Sequence, residues 1–88
     1  MKLKYKFIVR NVAGTSVALA VGEDNQKFNG MIKLNSVGEF IFKLLENDIT
    51  LDSIVSEITE KYDVTAEDAK EATLPFLETL RKNGVIEE

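Results

Sequence analysis

The ionisable side chains of this 88-residue chain are fifteen Asp and Glu, eleven Lys and Arg, and two Tyr, with no His, Cys or Trp. That inventory lacks a thiolate nucleophile, the usual base near pH 7, and the donors of the common zinc and iron–sulfur sites. The carboxylates fall on expected helix faces and ends, where water solvates them. The glycines at 14, 22, 30, 38 and 84 form neither GxGxxG nor a P-loop, so no phosphate cradle is expected. No catalytic residue, cofactor or metal site is expected. The remaining chemistry is recognition, by unpaired strand backbone or by apolar and charged surface.

The charge is divided unevenly. Residues 1–34 carry a net +4 and residues 35–88 a net −8. A nucleic-acid binder places basic residues on its reading helix, whereas here the expected helical half is acidic. At 44% apolar and 30% charged residues, the composition is that of a soluble globular protein. No apolar run reaches a membrane span. The alternating basic start at Lys2, Lys4 and Lys6 is unlike a signal peptide, and without cysteine nothing argues for export. A cytoplasmic location and one domain over residues 1–88 are expected.

Strands must position any recognition edge. Leu3, Tyr5, Phe7 and Val9 alternate with Lys4, Lys6 and Ile8, predicting a half-buried first strand. Asn11 to Thr15 is read as a turn around Gly14, and Thr15 to Val21 as a strand covered on both faces. Gly22-Glu23-Asp24-Asn25 is a turn cluster. Phe28, Gly30, Ile32 and Leu34 alternate with Asn29, Met31 and Lys33, giving a third strand. Short connections favour an antiparallel meander.

The period changes at Asn35. Ser36-Val37-Gly38-Glu39 fits a capping box with Ser36 as N-cap, followed by an apolar face from Val37 to Leu45. Thr50 and Thr65 are the expected caps of a second and a third helix, and Gly84 the terminator of the third. Pro75 lies inside the third helix, nearly opposite its apolar stripe, and predicts a kink or a broken turn. Val85 and Ile86 are expected to return to the core. The fold class is α+β: a winged-helix-like order of a three-stranded antiparallel meander followed by three helices.

The finer pattern is Leu34-Asn35-Ser36 before an apolar helix ending Leu44-Leu45, then Thr50-Leu51 and Ile54-Val55-Ser56-Glu57-Ile58. Tyr62-Asp63-Val64, Phe76-Leu77-Glu78-Thr79-Leu80 and Gly84-Val85-Ile86 complete it. Together these resemble the PQQ synthesis protein D (PqqD-like) family, also called RiPP precursor peptide recognition elements. Glu46-Asn47-Asp48 replaces the Asp-Gly-type turn of many relatives, and Pro75 is a further departure.

The resemblance implies a peptide chaperone of natural product biosynthesis. Such a domain binds the leader segment of a ribosomally made precursor by strand addition beside the third strand and against the last helix. It then presents the peptide to a modifying enzyme, commonly a radical-SAM enzyme, and is not itself an enzyme. The peptide-binding residues expected on the strand are Phe28, Asn29, Gly30, Met31, Ile32 and Lys33. Those expected on the helix are Lys70, Thr73, Leu74, Leu77 and Arg81, with the flank facing the strand left open. A monomer or weak homodimer is expected. The alternatives are a winged-helix nucleic-acid binder, using the basic first strand, and a generic adaptor that dimerises through its edge strand.

Overall fold

The computed structural model describes residues 1–22 and 30–88. Its elements are β1 (Lys2–Leu3), β2 (Phe7–Val12), β3 (Thr15–Ala20), β4 (Met31–Leu34), α1 (Ser36–Leu44), α2 (Leu51–Lys61), α3 (Ala66–Lys82) and β5 (Ile86–Glu87). A three-stranded antiparallel sheet in the order β2-β3-β4 precedes the three helices, as the residue patterns predict. No helix among the described residues is long and apolar enough to cross a membrane.

The expected first strand is divided in two. β1 leaves the meander and pairs antiparallel with β5, Lys2 opposite Glu87 and Leu3 opposite Ile86. Two backbone bonds fasten this segment elsewhere: the Leu3 N–H donates to the Leu45 carbonyl (2.9 Å) and that of Lys4 to the Val85 carbonyl (2.7 Å). The side-chain alternation runs unbroken through Tyr5 because both halves bury the same face, but the backbone changes partner.

β2 then extends to Val12, further than expected. The turn shrinks to Ala13 and Gly14, at φ 52° and 84°. Two successive left-handed residues are what a two-residue hairpin demands, since their twist matches that of the strands. The Gly14 N–H is also held by Asn11 Oδ1 at 3.1 Å.

Along the sheet one face carries Phe7 and Val9, Ala18, and Ile32 and Leu34, all packed into the main core with the helices. Phe7 meets Phe42 edge-on at 5.2 Å. The apolar stripes of α1, α2 and α3 close this core, with Ile41, Ile54 and Leu77 fully buried. Val85 and Ile86 are buried as expected.

Helix α1 begins one residue earlier than the capping box implies. Asn35, not Ser36, is the N-cap; its Oδ1 accepts the Gly38 N–H at 2.7 Å. Asn and Ser are comparable caps, and Asn35 has the extended backbone a cap needs (φ −83°, ψ 179°). Glu39 is drawn away from any capping role toward Lys43 at 3.4 Å. Asn35→Ala is therefore expected to lower stability by about 0.5–2 kcal/mol. Ser36→Ala is expected to stay within about 0.5 kcal/mol, and urea melts of both variants measure the contrast.

Thr50 and Thr65 cap α2 and α3 as expected, accepting from the Ser53 and Asp68 N–H groups at 3.1 Å each. α3 runs as one helix through Pro75, which is exposed, so the expected broken turn does not occur. The Glu71 carbonyl that loses its donor is on an exposed residue, where water serves it. At the C-terminus Gly84 (φ 68°) donates to Arg81 and Val85 to Leu80, a Schellman arrangement that turns the chain back onto the core.

Candidate peptide-binding site

β4 is a terminal strand. Its register with β3 sets Ser16 opposite Leu34, Val17 opposite Lys33, Ala18 opposite Ile32 and Leu19 opposite Met31. Successive residues of an antiparallel strand direct their N–H and C=O groups to alternate sides. Half of the β4 backbone groups thus face β3. The other half face an edge that no strand among the described residues occupies. Leu34 is buried and Ile32 half-buried toward the core, while Met31 (66% exposed) and Lys33 point out from the opposite face. An extended guest chain on this edge gains backbone hydrogen bonds and an apolar surface on one side.

Beyond Leu34 the edge meets a pocket of about 150 Å³. Asn35, Val37, Gly38 and Ile41 form its α1 wall, and Ala72 and Phe76 its α3 wall. Its link to the strand is Asn35, the residue that follows β4, and no β3 residue lines it. Gly38 makes the pocket possible. A Cβ there would lie 3.1 Å from Asn35 Oδ1 and 3.3 Å from Phe76 Cε1, so its absence lets the Phe76 ring settle beside the helix cap. The result is a small recess beside the residue that follows β4, of a size for one guest side chain.

Of the residues expected from sequence, Met31, Ile32 and Lys33 lie on β4, and Gly30 is exposed immediately before it. Phe28 and Asn29 fall outside the described residues. On α3 the expected set divides. Thr73 and Leu77 are 0% exposed and belong to the core. The Thr73 hydroxyl is satisfied by the Ala69 carbonyl at 2.7 Å, so neither side chain offers surface to a guest. Lys70, Leu74 and Arg81 are exposed, but on the other flank. At about 100° per residue, Leu74 is about 200° around the helix from Phe76. Arg81 is engaged by Glu88, to which Nε donates at 2.7 Å, and by Glu78 at 3.5 Å. Ion pairing with Glu88 first, and with Glu78, holds its guanidinium pKa above the ordinary value.

The helix flank beside the end of β4 is that of Ala72 and Phe76. Neither they nor Val37 and Gly38 are singled out by sequence as contact residues. The available signal is the glycine inside a helix, which points to a packing reason at that position.

A family model described as coenzyme PQQ synthesis protein D matches residues 11–86. A solved structure, TbiB1 in complex with the TbiA(beta) leader peptide, is similar in fold, with a TM-score of 0.75 at 23% sequence identity. The similarity covers 99% of this chain and 95% of that one. No curated protein matches the chain.

Proposed function

The chain belongs to the coenzyme PQQ synthesis protein D family, and from that footing we propose that it captures the leader segment of a ribosomally made precursor peptide and presents it to a separate modifying enzyme. The observation that carries the reading is the open β4 edge ending in the recess of Val37, Gly38, Ile41, Ala72 and Phe76. Backbone bonds along the edge supply affinity that is indifferent to sequence, and the recess adds selection for one apolar leader side chain. The outward Met31 and Lys33 favour apolar or acidic residues at the alternate leader positions. TbiB1, similar in fold, is a protein in complex with a leader peptide, which supports the same use of this architecture.

In this reading the domain performs no chemistry of its own. The modifying enzyme, of the radical-SAM class or another, carries out the reaction, and both act in the cytoplasm on a precursor awaiting modification. The guest-contact set is Gly30 to Lys33 with Asn35, Val37, Gly38, Ala72 and Phe76.

The test is a backbone-amide NMR titration with leader peptides of candidate precursors encoded in the same genome. Shifts concentrated at Met31–Leu34 and at Gly38, Ala72 and Phe76 support the reading. Shifts confined to Lys70, Leu74 and Arg81 refute the placement. Ala72→Trp fills the recess from an exposed helix position, and is expected to weaken leader binding about tenfold, equivalent to about 1.4 kcal/mol, while leaving the melting temperature within a few degrees.

A further inference from the structure

A second concavity lies on the β3 side of the same helix. A cleft of about 630 Å³ opens beneath the β2–β3 hairpin, with Ser16, Glu39, Phe40, Lys61 and Tyr62 among its walls. A smaller hollow of about 330 Å³, reaching Val9, Arg10 and Asn11, shares Ser16, Glu39 and Lys43 with it. The two form one trough from Arg10 to Lys61.

Its charges differ along its length. In the middle, Glu39 is already satisfied: hydrogen bonds from the Ser16 hydroxyl and then from Lys43 hold its carboxyl below the usual pKa. At one end the Lys61 ammonium rests 4.9 Å from the centre of the Phe40 ring, which meets Tyr62 edge-on at 6.0 Å. Neither Lys61 nor Arg10, at the other end, has a carboxylate partner among the described residues. Two unpaired cations therefore bracket a neutralised centre and an aromatic wall.

We propose that this trough docks an acidic segment of the modifying enzyme, with two carboxylates flanking an apolar or aromatic residue. One carboxylate meets Lys61, the other Arg10, and the apolar residue lies against Phe40 and Tyr62. Naming the enzyme as partner rests on the peptide-presenting reading above; the trough's geometry does not. The cleft and the leader recess share Asn35 but no other wall residue, so a leader along β4 leaves Arg10, Phe40, Lys61 and Tyr62 free for a second guest. A nucleic-acid backbone gains little here, because only the two end cations are free to meet its row of phosphates.

The test titrates the ¹⁵N-labelled full chain with an acetylated, amidated peptide in which two glutamates flank a leucine-tyrosine pair. Saturable shifts at Arg10, Phe40, Lys61 and Tyr62 are expected, weakening with added salt. Lys61→Glu and Arg10→Glu, both at exposed positions, are each expected to reduce affinity about threefold to fivefold, with the domain still folded and the melting temperature lowered by no more than a few degrees. Leader affinity of the Lys61→Glu variant stays at the wild-type value, which separates failure here from failure of the leader-binding reading. Four results overturn the proposal. They are no saturable shift, shifts spread equally over Lys2, Lys4 and Lys33, the same resonances moving on dilution or with the leader, and tighter binding of a single-stranded oligonucleotide at these residues.

Discussion

Proline at one of the two adjacent positions Ile32 and Lys33 is expected to lower leader affinity by tenfold or more while the domain remains folded. The two residues point their N–H groups to opposite sides of β4. At one, the lost donor faces the free edge and subtracts a bond made only with the guest. At the other, it faces β3 and removes a rung of the protein's own sheet, so the domain itself is destabilised. One intermolecular hydrogen bond contributes about 0.5–1.5 kcal/mol, and the proline ring also obstructs close approach of a partner strand. The combined effect reaches about 1.4 kcal/mol or more, the equivalent of a factor of ten. Fluorescence anisotropy with a labelled leader peptide, alongside circular dichroism, measures both quantities. If both variants fold and bind as tightly as wild type, strand addition at β4 is excluded.

The second large effect is on stability. Leu74 and Leu77 sit three residues apart on α3, and sequence alone makes both plausible guest contacts. Leu77 is 0% exposed and Leu74 43% exposed. Leu77→Ala removes three carbons from the middle of the core and is expected to cost about 2–5 kcal/mol, according to how far its surroundings collapse. In a domain this small that is a large part of the total. Leu74→Ala is expected to change stability by less than about 0.5 kcal/mol, and leader affinity little, since it lies on the flank away from the recess. Urea denaturation and the anisotropy assay together decide the case. A large loss of affinity in Leu74→Ala would move the guest to the other flank.

These contrasts mark where sequence is informative. The meander was legible because alternation with period two, glycine turns and short connections all agree. The helices were legible because Thr50, Thr65 and Gly84 are strong end signals that act within a few residues of themselves. The division of the first strand was not legible, since Leu3, Tyr5, Phe7 and Val9 keep one alternation while the backbone passes from β5 to β3. The shift of the first cap from Ser36 to Asn35 turns on two neighbouring residues of similar capping strength. Propensity could not separate them, whereas the docking of α1 onto Phe76 and β4 does.

On the candidate site the limit is of another kind. The helical wheel identifies the buried stripe of α3, and so Thr73 and Leu77 could have been assigned to the core from their places in it. It cannot say which margin of that stripe lies beside β4, because that depends on how α3 rotates against α1. Gly38 settles the rotation by admitting the Phe76 ring, a contact between residues 38 positions apart that no local pattern encodes.

The pairing of β1 with β5 bears on how the domain responds to tension. The chain's two ends emerge side by side from a clasp of two antiparallel rungs, Lys2 with Glu87 and Leu3 with Ile86. A pull separating those ends loads the rungs in series, as a zipper opens, and never in shear. The bonds of Met1 to Ile49 and of Leu3 to Leu45 resist the same pull, while β4 shares no rung with the clasp.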